Sequence, residues 1–203
     1  MAAPPLRHCA SGLRRQILSL ELGALICDPH LAGDGPAMEQ RKMKMEYGNI
    51  AAAEIPLALL LEADPSEKRI GSYLPGAWCF AARAQGILVG VCIVRALSPG
   101  TAEIFNVAVR PDHQRQGIGS GLLRHGLAEL AARGIRRVEL GTGTFGYPLT
   151  CYQRLGFRVD AVVKDHFLHH YPDPIFESGI QHKDMLRLSL TLEAGAREWE
   201  SER

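Results

Sequence analysis

Apolar and polar positions divide the chain into a front segment without a period and a long orderly region. From Met1 to about Tyr47 the sequence mixes Pro-Pro, the loop-like DPHLAGDGP and the charged EQRKMKME, and no repeat persists. We therefore predict an N-terminal extension over residues 1–47, which is either disordered or the product of an annotated start upstream of the real one. A folded domain is predicted over residues 48–193, followed by a C-terminal tail over residues 194–203.

Within residues 48–193, segments with the hydrophobic period of a helix are followed by segments with the period of a strand. IAAAEIPLALLLEADP is apolar at helical spacing, and KRIGSYL adds a second short helical turn. AWCFAARA, GILVGVCIVRAL and AEIFNVAV then indicate an antiparallel meander. The rest predicts a helix (GSGLLRHGLAELAARG), a strand (IRRVELGTG), a short helix (PLTCYQRLG) and two more strands (FRVDAVV and MLRLSLTL). This order predicts an α/β (α+β) fold whose mixed, mostly antiparallel central sheet has helices on both faces.

Composition narrows the function. A chain of 203 residues that is 46% hydrophobic can bury one good core. Its 23 basic and 22 acidic side chains leave a net charge of +1, so the overall field recruits neither nucleic acid nor an anionic membrane. The five cysteines form no CxxC pair, which indicates reduced thiols and a cytoplasmic protein. No apolar run reaches the roughly 18 residues of a membrane span.

The stretch HQRQGIGSGLL, residues 113–123, places glycines at 117, 119 and 121 where a strand gives way to a helix. Amides at a helix start lack intrahelical partners, and glycines let an anion approach them, so the turn is a candidate pyrophosphate site. Arg115 adds charge, and Gln114 either fixes the loop or donates to a phosphate oxygen. The turn lacks the Lys-Ser/Thr pair of a nucleotide P-loop, and Arg124 occupies the last glycine position of a dinucleotide fingerprint.

The same stretch resembles the central (Q/R)xxGx(G/A) motif of the GNAT superfamily of N-acetyltransferases, with Gln114, Gly117 and Gly119 in the motif positions. A second block, CYQRLGF, is similar to the family's LYxKxGF and follows in the right order. The resemblance covers about residues 50–192 and implies a GNAT fold. The closing stretch DHFLHHYPDPIFESGIQHKDMLRLSL is similar to a subgroup of small, largely uncharacterised bacterial members.

The resemblance implies that acetyl-CoA is the acetyl donor and that a primary amine, on a small molecule or a peptide, attacks it directly in a ternary complex. The coenzyme's pyrophosphate would lie on the amides of the turn, and its pantetheine arm would pair with the preceding strand. The implied contacts are Val107, Ala108, Val109, Gln114, Arg115, Gln116, Gly117, Ile118, Gly119 and Ser120. A homodimer is left open. The alternative function is a catalytically degenerate module that binds acyl-CoA as a sensor or interaction domain.

Two residues are predicted to act in catalysis. Tyr152 matches the family position whose hydroxyl often lies near the acetyl sulfur, which makes it the candidate general acid; the alternative is a packed tyrosine bonded to the backbone. Glu103 resembles the strand glutamate that serves as the base in the histone-acetylating branch of the superfamily. The alternatives are that Glu103 is a solvated residue, or that the amine loses its proton through water and no single base is required. Asn106 would face away from Glu103 in a regular strand, although a bulge would change that.

The C-terminal block holds several potential ligands without a recognised metal motif, and we predict no metal site there. The stretch HHYPDP is read as a turn-rich loop that is either substrate-facing or plain surface. The asparagine that many family members carry before the CYQRLGF block is missing, and Thr142 or Thr144 is the expected substitute. The potential ligands are His166, His169, His170, His182, Asp173, Glu177 and Asp184.

Overall fold

The structure is a computed structural model that describes residues 44–193. The greater part of the predicted extension, residues 1–43, and the predicted tail, residues 194–203, lie outside the described residues. None of the helices between residues 44 and 193 combines the length and the apolar character that crossing a membrane requires.

Nine strands and five α-helices follow one another along the described chain. Short 3-10 turns cover Ala52–Glu54 and Pro111–His113. The elements are β1 (Met45–Asn49), α1 (Leu57–Leu60), α2 (Glu67–Tyr73), β2 (Trp78–Ala84), β3 (Ile87–Ser98), β4 (Thr101–Val109), α3 (Ile118–Ala132), β5 (Arg137–Gly143), α4 (Tyr147–Arg154), β6 (Arg158–Val163), α5 (His166–His170), β7 (Phe176–Glu177), β8 (Ile180–Gln181) and β9 (Met185–Thr191).

Seven of the strands form one sheet in the order β1-β2-β3-β4-β5-β9-β6. All neighbours in it are antiparallel except β4 and β5, which are parallel. The strands β7 and β8 form a separate two-stranded hairpin. The mixed, mostly antiparallel sheet is therefore confirmed. Its first strand begins at Met45 and so draws on the end of the predicted extension.

Two apolar clusters lie on opposite faces of the sheet because alternate residues of each strand point to opposite sides. One cluster joins the strands to α3 and α4 through residues such as Phe80, Leu122 and Phe157. The other joins them to α1 and α2 through residues such as Leu60 and Ile93. Helices thus cover both faces, as the sequence predicts.

Two segments differ from the sequence prediction. The single helix expected over residues 50–65 is interrupted, because Pro56 pushes Ile55 into an extended conformation and α1 begins only at Leu57. The turn-rich loop expected at HHYPDP begins within α5, which ends at His170, and the β7–β8 hairpin follows it. Ser178 and Gly179, both at positive φ, form the hairpin's two-residue turn.

Candidate active site

The centre of the sheet opens where its two parallel strands part. β4 pairs with β5 only from Thr101 to Ile104, opposite Arg137 to Leu140. Beyond that point β4 continues along β3 to Val109, and β5 continues along β9. The backbone of β4 that faces the gap therefore lacks a neighbouring strand, and an amide-bearing ligand can pair with it.

A bulge in β4 decides which side chains face the opening. The register with β3 passes from Asn106 to Ile104, which leaves Phe105 without a partner. Ala102 and Ile104 pack in the α3 cluster, so Glu103 faces the other side. After the bulge Ala108 belongs to the α1–α2 cluster. Asn106 therefore lies on the same face as Glu103, in contrast to the regular-strand expectation.

Asn106 links the bulge to the helices of that face. Its side-chain amide donates to the carbonyl of Leu60 and to the hydroxyl of Tyr73, both at 3.0 Å. The residue is 3% exposed, and its Oδ1 has no hydrogen-bond partner within residues 44–193. Asn106 thus fixes α1 and α2 against β4, and its Oδ1 remains a buried acceptor without a partner in the described chain.

The turn before α3 is held by local contacts. Gln114 donates to the carbonyl of Val109 at 3.0 Å, so this side chain fixes the loop. Asp112 accepts from Arg110 at 3.1 Å and pairs with His113 at 2.8 Å. The hydrogen bonds from His113 and Arg110 lower the pKa of Asp112 from 3.8 to about 2. The loop is therefore braced in the conformation that leads into α3.

The first amides of α3 are available to an anion. Gly117 precedes the helix with φ of 75°, a left-handed conformation that favours glycine. The first intrahelical bond runs from the amide of Gly121 to the carbonyl of Gly117 at 3.0 Å. The amides of Ile118, Gly119 and Ser120 thus precede the helical hydrogen-bond ladder at the positive end of a 15-residue helix. This geometry suits a phosphate group.

The third glycine of the turn has a packing role that the sequence did not reveal. A Cβ at Gly121 would lie 2.2 Å from the hydroxyl of Tyr47, which comes from β1. Gly121 therefore lets the first strand pack against α3. Ser120 also faces inward, with its hydroxyl 3.7 Å from the thiol of Cys151 on α4.

Tyr152 lies on α4, beside the opening between β4 and β5. Pro148 occupies the first turn of this helix, a position that suits proline. The Tyr152 ring packs edge-to-face on Phe157 at 5.9 Å between centroids. Burial raises the pKa of its phenol, and no described residue accepts or donates a hydrogen bond at its hydroxyl. Tyr152 is therefore a protonated phenol with its donor unused.

Glu103 is partly buried and paired. Its carboxylate contacts the guanidinium of Arg187 on β9. Arg187 also donates to Glu139 at 2.9 Å, and Glu139 accepts from Arg137 at 2.7 Å. The cost of a carboxylate within the sheet is thus offset by a row of alternating charges across β4, β5 and β9. The sequence could not predict this pairing, because 84 positions separate Glu103 from Arg187.

A cavity of about 210 Å³ lies at the opening and extends over the face that carries Glu103 and Asn106. Aromatic side chains form much of its wall, and four buried polar atoms in that wall have no hydrogen-bond partner within residues 44–193. These atoms are Arg69 Nε, Asn106 Oδ1, Thr142 Oγ1 and His182 Nδ1. Unpartnered buried polar atoms are rare, and their concentration in one cavity indicates a ligand site. The aromatic side chains are Phe105, Phe145, Tyr152, Phe167 and Tyr171.

Contacts between distant segments close one side of the cavity. Asp64, after α1, accepts from the amide of Ser66 at 3.0 Å and from the hydroxyl of Tyr171 at 3.5 Å. The guanidinium of Arg69 lies 5.2 Å above the Tyr171 ring and 3.6 Å from the Asp64 carboxylate. The α1–α2 segment and the segment after α5 are thereby joined over the sheet.

The C-terminal block supplies a buried pair that sequence reasoning missed. Nε2 of His182 lies 3.0 Å from Oε2 of Glu177, and both residues are under 10% exposed. Glu177 also accepts from the amide of Tyr147 at 3.4 Å, at the start of α4. The sequence signal was the turn Ser178-Gly179, which favours a hairpin and so brings residues 177 and 182 together.

Comparisons with known proteins agree with this architecture. The sequence pattern described as "Acetyltransferase (GNAT) family" matches residues 53–157. An uncharacterized N-acetyltransferase of Bacillus subtilis, YvbK, is 38% identical over 156 residues, which span 76% of this chain and all of that protein.

Solved structures give the same result. An IAA acetyltransferase from Bacillus cereus is 37% identical, with a TM-score of 0.70 over 73% of this chain and all of that one. A GNAT family acetyltransferase from Elizabethkingia anophelis, solved with acetyl-CoA bound, is 33% identical. Its TM-score is also 0.70, over 73% of this chain and 98% of that one.

Proposed function

Because the chain belongs to the GNAT acetyltransferase family, we propose that it transfers the acetyl group of acetyl-CoA to a primary amine by direct attack in a ternary complex. The family match, the N-acetyltransferase relative and the acetyl-CoA-bound neighbour support this proposal. The observation that carries it in this molecule is the opening between β4 and β5, with open helix amides at one end and an unused phenol beside it.

The donor would lie across the opening. Its pyrophosphate would bind the amides of residues 115–120, and its pantetheine arm would pair with the backbone of Val107, Ala108 and Val109. Gln114 would act indirectly, since it already holds the Val109 carbonyl. Thr142, whose buried hydroxyl lacks a partner in the described chain, is a further candidate contact for the arm.

Holding both reactants in line supplies much of the expected rate enhancement. The amine attacks the thioester carbonyl, and the departing sulfur takes a proton from Tyr152. Glu103 stays a candidate base, because its carboxylate is held by Arg187 on the face of the sheet that the cavity covers. We propose a compact amine with an apolar body as the acceptor, because the cavity is small and walled by aromatic rings.

The test measures the release of free thiol from acetyl-CoA in the presence of each of five candidate acceptors. These are 2-phenylethylamine, spermidine, kanamycin, an amino acid and an alanyl peptide. Tyr152→Phe should lower kcat at least about 100-fold with an unchanged Kd for CoA, because only the proton donor is lost. If CoA binds and none of the amines raises thiol release above hydrolysis, the degenerate acyl-CoA-binding module becomes the better description.

A further inference from the structure

The His182–Glu177 pair has the geometry of an oriented proton acceptor. A carboxylate can only accept, so the bond of 3.0 Å requires that Nε2 of His182 carries the hydrogen. When the imidazole is neutral, this tautomer leaves Nδ1 as a lone-pair acceptor. A base whose far side is held by a carboxylate is the arrangement that activates nucleophiles in enzymes.

The ring of His182 lies over the end of β5. A Cβ at Gly143 would lie 2.5 Å from Nδ1 and 2.4 Å from Cε1, so only glycine leaves this space. Glu139 pairs in register with Glu103, and Gly143 alternates onto the same face. The ring of Phe145 stacks on the imidazole at 4.2 Å between centroids. His182 is therefore fixed on the face that carries Glu103 and Asn106.

Nδ1 is the atom without a partner. His182 is 5% exposed and lines the cavity, and no residue of the described chain donates to Nδ1. Such an atom costs free energy unless a ligand supplies a donor. An ammonium N–H in the cavity would be such a donor.

Among residues 44–193, Glu177 is the ionisable group that is hydrogen-bonded to His182. The other charged groups around the cavity are Asp64, Arg69, Glu103 and Arg187, and His166 also lines it. Glu103 is held by Arg187, and Asp64 is bonded to an amide, a phenol and Arg69. Burial, with smaller effects of neighbouring cations, lowers the pKa of His166 to about 4, which makes that ring a weak base. Burial also raises the pKa of Tyr152 and Tyr171, so both phenols stay protonated.

We infer that His182, oriented by Glu177, accepts the proton that the acceptor ammonium must lose before its nitrogen can attack; this rests on the proposed transferase function. The proton passes to Nδ1, and the freed lone pair forms the C–N bond at the thioester carbonyl. As the tetrahedral adduct collapses, the C–S bond breaks and sulfur takes a proton from Tyr152. Tyr152 regains a proton from the new amide nitrogen, and His182 releases its proton to water. The products are the N-acetyl amide, CoA and one proton.

The test is the pH profile of kcat/KM for the most active amine of the panel, with the full chain and acetyl-CoA. Glutamine at position 182 keeps an N–H for Glu177 but cannot take a proton. His182→Gln should lower kcat/KM at least about 100-fold near pH 7 and remove the acidic limb of the profile, with the Kd for CoA unchanged. His169→Gln, a change at an exposed histidine of α5, is the matched control and should resemble the wild type.

Other outcomes separate the inference from the proposed function. If His182→Gln keeps kcat/KM within about threefold of the wild type and shows the same acidic limb, His182 is not the base. The same conclusion follows if Glu103→Gln removes that limb instead. If the glutamine variant fails to fold, His182→Gly decides: added imidazole should restore part of its rate, and no restoration would overturn the inference. An absence of amine-dependent thiol release in the wild type refutes the proposed function itself.

Discussion

The turn before α3 and the cavity over Glu103 and Asn106 are built in opposite ways. The turn is one continuous stretch, residues 110–121, and its bracing bonds join Gln114 to Val109 and Asp112 to its neighbours. The cavity draws its walls from positions 63 to 187. In the proposed function, the turn offers backbone amides to the acetyl donor, whereas the cavity offers side chains to the acceptor amine. Donor binding and acceptor chemistry should therefore be separable by mutation.

The largest expected effect is on the turn. Gly119→Asp should weaken CoA binding more than about 100-fold, because it places a carboxylate where the phosphates are expected. An aspartate in the first turn suits the helix dipole, but Gly119 is buried, so circular dichroism must show that the variant is folded. Isothermal calorimetry measures the Kd.

Gly119→Asn separates charge from bulk, since it has the same shape without the charge and should bind more tightly than the aspartate variant. Gly71→Asp adds the same carboxylate at an exposed position of α2, where an added Cβ would contact no other part of the described chain within 4 Å, and should leave the Kd unchanged. Equal affinities for wild type and Gly119→Asp would refute the proposed pyrophosphate position.

A smaller effect is expected in the cavity. Gly143→Ala forces its methyl group to within 2.4 Å of the His182 ring, so the imidazole must move. Overpacking of this kind costs about 1–3 kcal/mol, and we expect kcat/KM for the amine to fall about tenfold or more. The Kd for CoA should not change. The measurement pairs steady-state kinetics with calorimetry.

Gly71→Ala is the control for Gly143→Ala, because a Cβ at Gly71 meets nothing within 4 Å. If Gly143→Ala weakened CoA binding as much as amine turnover, the two regions would not be separable, and the comparison would fail.

The smallest effect concerns the bracing of the turn. The pKa of Asp112 is depressed from 3.8 to about 2, so its stabilising contribution is present above pH 3.8 and is lost as the pH falls through about 2. Asp112→Asn should lower Tm slightly above pH 3.8, and the difference from the wild type should shrink below it. Thermal melts followed by circular dichroism over this range provide the measurement. A difference that does not vary with pH would mean that the Asp112 charge does not brace the turn.

The sequence correctly predicted the elements whose pattern depends on residues close together in the chain. The strands β2 to β4, helix α3 and the alternating strand β9 follow from periodicity, and the candidate pyrophosphate site follows from the glycines at the start of α3. It did not reach features that depend on neighbours distant in the chain. The role of Gly121 required Tyr47 from β1, and the pairing of Glu103 required Arg187 from β9.

The bulge at Phe105 shows the same limit within a single strand. The residues of AEIFNVAV predict a strand correctly, but the side that Asn106 faces depends on its register with β3. A one-residue shift in register moves a side chain to the other face of the sheet. In a strand that is buried on both faces, the hydrophobic pattern alone does not show which face a side chain occupies.

The sequence alone determined the order of the elements from α2 to β6, the family and the helix start suited to a phosphate, because each depends on residues adjacent in the chain. Only the tertiary structure decided which side chains meet over the sheet, including Asn106, Glu177, His182 and Arg187. The physical reason is that hydrogen bonds and packing act over a few ångströms, and folding alone brings residues from distant segments within that range.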